Sequence, residues 1–137
     1  MKVLIDTNVI FDVILKREKF YRPALQIFHL AELKKIKAFV SSSSVTDIYY
    51  MLHKQFHDKQ IALQYIKELL SIFYVAKTDS KAIQKAVNLN WNDFEDCVQF
   101  CVAKRNFIKC LITRNTKDFA LSDIPIYEPD EFLSCIR

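Results

Sequence analysis

The 137-residue sequence predicts an α/β fold, a single three-layer α/β/α domain over residues 1–137 around a central, mostly parallel sheet of five strands. Three observations carry this expectation. Short apolar runs alternate with longer segments whose apolar residues recur at helical spacing, the arrangement that builds a parallel sheet through crossover helices. The short runs are apolar without interruption, as strands covered on both faces are. Acidic and amide residues recur where these runs end, the edge at which such sheets bind ligands.

Lys2–Ile5 is the first strand, closed by Asp6-Thr7-Asn8. Val9–Lys16 follows, with Val9, Ile10, Val13 and Ile14 as a helical stripe. A second helix is expected from Arg22 to Lys35, with Leu25, Ile27, Phe28 and Leu33 among its apolar positions. Ala38–Ser41 reads as the second strand, and Ser44–Phe56 as a helix through Val45, Ile48, Tyr49 and Leu52. Ile61–Leu70 continues helical, and the β-branched and aromatic run Ile72–Ala76 suggests a third strand. Ser80–Leu89 and Asp93–Lys104 are helical again. Cys110–Thr113 and Ile124–Tyr127 complete the strands, and Pro129 opens a short last helix. The chain contains no glycine, so Asn, Asp, Ser and Pro mark its turns.

The composition is 51% hydrophobic and 26% charged, with a mean hydropathy of +0.03, which is globular rather than disordered. No segment approaches the roughly 18 unbroken apolar residues of a membrane helix. Val3-Leu4-Ile5 is cut by Asp6 and Asn8 and is too short for a signal-peptide core. A cytoplasmic chain without a membrane partner is expected. The lack of glycine excludes glycine-rich phosphate cradles and argues against a nucleotide-cofactor enzyme. A net charge of +4 and a pI near 8.8 are compatible with nucleic acid. Cys97, Cys101, Cys110 and Cys135 form no CxxC pair, so buried reduced thiols are expected. His53 is followed by Lys54, not by the Glu of HExxH, and with His57 it reads as a surface helix turn.

The chemistry lies at the strand ends. Asp6 follows the first strand, Asp47 falls in the first turn of the helix after the second, Asp93 and Asp96 open the helix before the fourth, and Asn115 and Asp118 follow the fourth. In a parallel sheet these residues arrive at one edge, where converging oxygen ligands suit Mg²⁺ or Mn²⁺. Such an ion polarises a phosphodiester and activates water. Taken singly, several of these residues also read as helix caps. Ser44-x-x-Asp47 has the form of a capping box with Asp for Glu, Asp93-x-x-Asp96 can cap its own helix, and Asn8 and Asn115 are good N-caps. Asp6 has no capping duty that Asn8 could not perform, and independent caps need not share one sheet edge.

Val3-Leu4-Ile5-Asp6-Thr7-Asn8-Val9-Ile10, then Ser-Ser-x-x-x-Asp47-Ile48-Tyr49-Tyr50, Asp93-Phe94-Glu95-Asp96, and Ile112-Thr113-Arg114-Asn115-x-x-Asp118-Phe119 resemble, in order, the motifs of PIN domains. More narrowly, the chain is similar to the VapC-type toxins of prokaryotic toxin–antitoxin pairs. The resemblance implies a PIN-like fold and a Mg²⁺- or Mn²⁺-dependent ribonuclease with Asp6 and Asp96 as metal ligands. It implies catalytic roles for Asp6, Asp47, Asp96 and Asp118. Asp47 stands where the family usually has Glu, one methylene longer, and Asn115 where many members carry a fourth acid. Asn8 and Thr113 match polar positions that hold the acids in place, and Asp93 and Asn115 are further supporting residues. The partners implied are an RNA substrate, a cognate antitoxin protein and a second copy of the chain in a homodimer.

Other readings fare less well. A phosphoacceptor receiver domain would want a Lys where Ile124-Pro125-Ile126-Tyr127 offers none, and a haloacid-dehalogenase-like phosphatase would want an acid at Asn8. The alternative that remains is a catalytically weakened PIN-like module that binds RNA or a protein without cleavage. Basic residues cluster as Lys16, Arg17, Lys19 and Arg22, as Lys34, Lys35 and Lys37, and as Arg114 and Lys117. The Lys34 cluster reads as a solvated face. Arg114 and Lys117, beside the proposed metal edge, are assigned to substrate binding. Phe11, Phe20, Tyr21, Tyr49 and Tyr50 give the early helices aromatic surface for a partner, with core packing the default for most of them.

Overall fold

The strand nearest the amino terminus lies at the middle of the sheet. β1 (Lys2–Ile5) pairs in parallel with β2 (Lys37–Ser41) on one side and with β4 (Cys110–Ile112) on the other. β3 (Tyr74–Ala76) extends β2 and β5 (Ile126–Tyr127) extends β4, giving the order β3-β2-β1-β4-β5 with every pairing parallel. The computed structural model describes residues 1–136. The expected three-layer α/β/α architecture is therefore present, and its sheet is parallel throughout.

Period-two alternation along β1 divides the core. Val3 and Ile5 face one layer, which holds α1 (Thr7–Ile14), α2 (Tyr21–Glu32), α3 (Ser42–Phe56), α4 (Lys59–Ile72) and α7 (Pro129–Cys135). Leu4 faces the other, where α5 (Ser80–Leu89) and α6 (Phe94–Arg105) pack on Leu111. α6 is buried from Asp96 to Ala103, all round rather than along one stripe. A helix enclosed in this way holds its first turn firmly, and that turn carries the acids.

Several boundaries differ from expectation for local reasons. α1 begins at Thr7 because the Asp6 side chain accepts the Thr7 N–H at 2.7 Å, so Asp6 is the cap and Asn8 lies inside the helix. α3 begins at Ser42, which puts Asp47 in its second turn and leaves no capping box at Ser44, itself buried. The serine run cross-ties this helix start instead. Ser41 Oγ lies 2.9 Å from Thr78 Oγ1, and Thr78 N–H donates to Ser42 Oγ at 2.9 Å. Ile72 completes α4, so β3 starts only at Tyr74. A 3-10 turn over Thr116–Phe119 was not anticipated. Asn115 precedes it without a side-chain cap bond. Cys97, Cys101 and Cys110 are buried free thiols as expected, but Cys135 is exposed. Phe11 is core at 2% exposure and Tyr50 stands out at 68%, so of these two aromatics only Tyr50 lies at the surface.

Without glycine, left-handed backbone positions fall to other residues. Lys16, Lys34, His57, Asn90 and Phe107 have φ between 48° and 60°. At the edge of the sheet, Lys37 Nζ sits 4.7 Å and Lys34 Nζ 5.7 Å from the Tyr74 ring centre. The lysines read as merely solvated thus lie over the exposed β3 edge, and charge there discourages edge-to-edge pairing. Among the described residues, no helix is long and apolar enough to cross a membrane.

Candidate active site

The carboxyl ends of β1 and β4 lie side by side, and Asp6 N–H donates to Ile112 O at 2.9 Å, continuing the ladder one step beyond the strands. This fixes Asp6 against Thr113. The buried Thr113 hydroxyl donates to Asp6 Oδ2 at 2.8 Å. It accepts from Asn115 N–H at 3.0 Å and from Asn8 Nδ2 at 3.3 Å. Asn8 Oδ1 in turn accepts Arg114 N–H at 3.4 Å. Thr113 thus bonds the Asp6 carboxylate directly, and Asn8 bonds Thr113.

The other side of Asp6 is held by a residue the sequence reading passed over. Gln99, on the inward face of α6 and 1% exposed, donates from Nε2 to Asp6 Oδ1 at 2.9 Å. Its amide orientation follows from that bond, since the reverse would set two acceptors face to face. Gln99 Oε1 is consequently left buried without a donor among the described residues. A lone Gln in the apolar run Cys97–Ala103 was the available signal.

Asp93, Asp96 and Asp118 bring one carboxylate oxygen each within 4.8 Å of one another. Asp93 Oδ1 also caps α6 by accepting Asp96 N–H at 2.9 Å, so the capping and clustering readings both hold for it. The 3-10 turn after β4 delivers Asp118. Burial, and then the charges of Asp6, Asp93, Asp118 and Glu95, push the Asp96 carboxyl up from its ordinary 3.8 to about 7. Glu95 is raised too, by burial and then by Asp47, Asp6 and Asp93. Glu95 therefore belongs to the same acidic field, although it was read only as part of a motif.

The remaining candidates are placed differently. Asp47 is exposed on α3 and, through Glu95, lies at the rim of this field rather than inside the close trio. Asn115 contributes its backbone N–H to Thr113, and Lys117 is exposed on the 3-10 turn. Arg114 is engaged inward. Its Nε donates to Asp12 Oδ2 at 2.7 Å, and its guanidinium carbon lies 4.1 Å from the Phe20 ring centre. Asp12, at 0% exposure, also meets Arg17 Nη1 at 3.3 Å. The guanidinium expected to meet substrate is thus committed to a buried acid, whose signal was an Asp inside the apolar stripe of the first helix.

An all-oxygen donor set with crowded negative charge and an acceptor lacking a donor fits a hard divalent cation, which takes several oxygen ligands. The crowding also has a pH signature in metal-free protein. Between pH about 4 and about 7 the folded state holds a proton on Asp96 that the unfolded state has released. Rising pH through that window therefore lowers stability. The melting temperature of the wild type should fall relative to that of Asp96→Asn as pH is raised from 4 to 8 in chelator. Parallel curves would show that Asp96 does not carry the strain.

A family model described as "PIN domain" matches residues 2–117. Ribonuclease VapC1 of Aquifex aeolicus (strain VF5) is 33% identical over 136 residues, covering 96% of this chain and 92% of that protein. A toxin–antitoxin complex from Klebsiella pneumoniae contains a chain of 25% identity and TM-score 0.67, with 93% of this chain and 97% of that one covered. DNA-bound VapBC from Salmonella typhimurium superposes with a TM-score of 0.71 at 17% identity over 94% of this chain and 98% of that one, a likeness of fold.

Proposed function

The chain belongs to the PIN domain family, and from that premise we propose that it is a Mg²⁺- or Mn²⁺-dependent ribonuclease, the toxin of a toxin–antitoxin pair. The observation that carries the reading is the carboxylate trio Asp93, Asp96 and Asp118 at the ligand-binding edge of a parallel sheet, next to the tethered Asp6. Asp6 and Asp96 would hold the ion, with Asp93 completing the oxygen set. When bound, the ion neutralises charge on a phosphodiester and lowers the pKa of water. Thr113 and Gln99 keep Asp6 from turning toward solvent, and Asn8 keeps Thr113 from turning away. Asp118, exposed on its 3-10 turn, is free to orient water for in-line attack, with Asp47 and Glu95 at the rim. Lys117 meets the RNA backbone, whereas Arg114 acts through Asp12.

The partners follow from the same premise: RNA as substrate, an antitoxin protein as inhibitor, and a second copy of the chain. The antitoxin reading is supported by the toxin–antitoxin complex of the Klebsiella pneumoniae relative. Three buried free thiols suit the reducing cytoplasm. The test is a cleavage assay on a mixed RNA pool. Cutting is expected with millimolar-range Mg²⁺ or Mn²⁺ and should fall to background in chelator. Undiminished cutting in chelator, or none with either metal, would remove the reading.

A further inference from the structure

We propose that the groove between α5 and α6 binds single-stranded RNA, holding a stretch of substrate beside the carboxylate cluster. The proposal deepens the ribonuclease reading and rests on it for the identity of the ligand. The groove encloses about 750 Å³ and none of the residues discussed above as ligands lines it. Its rim carries Lys81, Lys85, Lys104 and Arg105. Lys104 is paired at the surface with Asp123 at 3.0 Å and Arg105 with Asp79 at 2.7 Å. Lys81 and Lys85 have no acidic partner among the described residues and stand four apart on α5. Like charges at that spacing repel across one helix face, and a phosphate between them removes the repulsion.

The apolar lining of the groove includes aromatic rings beside Leu89 and Leu121. Trp91 is half-buried, stacked on Phe100 with ring centres 4.9 Å apart. Phe107 is 79% exposed and has φ 56°. It follows the α6 cap residue Asn106, a place where glycine or asparagine normally takes the left-handed conformation. A phenylalanine there bears both backbone strain and solvent exposure, and nothing in the fold uses its ring. Cations around exposed aromatic faces are what a single strand requires, because phosphates meet the lysines while bases stack whatever their sequence.

The groove is also tied to the acids from two sides. Trp91 precedes Asp93 by two residues and Leu121 follows Asp118 by three, spans of at most about 7 and 11 Å of chain. An RNA whose phosphate lies at the trio therefore has the groove as its adjoining path. That continuity favours RNA over an acidic protein segment, for which the charges alone would serve.

The test measures binding of a labelled, mixed-sequence RNA oligonucleotide to the full chain in chelator, across a salt series. Lys81→Glu with Lys85→Glu should weaken binding about tenfold or more, and make the log–log salt slope shallower by about 1.4, the loss of two phosphate contacts on a single strand. Phe107→Asn, which suits the left-handed backbone, should weaken binding several-fold with the salt slope unchanged. Lys59→Glu with Lys67→Glu, equal in charge but on α4, should bind like wild type. Groove variants that bind RNA as wild type does, in a protein that still cleaves with metal, would overturn the groove and leave the ribonuclease. Groove-dependent RNA binding in a protein that never cleaves would do the reverse. RNA binding unaffected while an acidic protein partner is lost would also overturn the proposal.

Discussion

Asp96→Asn is expected to reduce metal-dependent RNA cleavage by about 10³-fold or more, while the metal-free protein becomes at least as stable as wild type at pH 8. The first half follows from the several kcal/mol by which a correctly held ion lowers such a barrier, since about 4 kcal/mol corresponds to 10³ in rate. The second half follows from the crowding. Asp96 ionises against burial and against Asp6, Asp93, Asp118 and Glu95, and a neutral amide of the same shape ends that repulsion. Asp6→Asn should be equally inactive but less stable. Thr113 Oγ1 already accepts from Asn8 and Asn115, so it donates to Asp6 and cannot do so to an amide NH₂. The lost bond is worth about 1 kcal/mol. Initial rates on RNA and urea unfolding in chelator read the two halves separately. Wild-type cleavage by either variant would remove these acids from the reaction.

Arg114→Ala is expected to destabilise the fold by about 3 kcal/mol, the low end of what breaking a buried ion pair costs. Asp12 has no exposed surface and would keep only Arg17 at 3.3 Å, a side chain that is 38% exposed and easily hydrated. The contact of the guanidinium with Phe20 is lost as well. Arg114→Lys should recover only part, because an ammonium does not stack flat on the Phe20 ring. The double replacement Asp12→Leu with Arg114→Met should recover most, because it leaves no buried charge unpaired. Urea midpoints of the four proteins decide it. An Arg114→Ala protein of unchanged stability that loses RNA affinity would return this residue to the substrate.

The elements were legible where one signal acted alone. β1 ends where it was read to end because an acid interrupts an apolar run, and α5 runs from Ser80 to Leu89 as its apolar spacing indicates. Boundaries slipped where side chains compete for the backbone, as at the serine run before α3 and at Asp6, which turned out to be both strand end and cap. The first and last motifs singled out Asp6, Asn8 and Thr113, and two adjacent parallel strands bring the three into hydrogen-bond contact. Gln99 and Asp12 were missed for the opposite reason. Each is a polar residue inside an apolar helix, and periodicity averages such a residue away, although burial makes its partner obligatory. The α5–α6 groove was out of reach, because its cations are spread over two helices and cluster only after folding.

The sheet order has a consequence for how the molecule is made. β1 is translated before the other strands, and its neighbour β4 and the 3-10 turn that carries Asp118 emerge only after six intervening helices and two strands. A nascent chain on the ribosome can fold β1, β2 and β3 with their helices as they appear, since amino-terminal parts generally fold first. It has no Thr113 to hold Asp6 and no Asp118 beside Asp96 until translation has passed both. A growing or prematurely terminated chain therefore lacks the assembled acidic edge, which forms late and all at once.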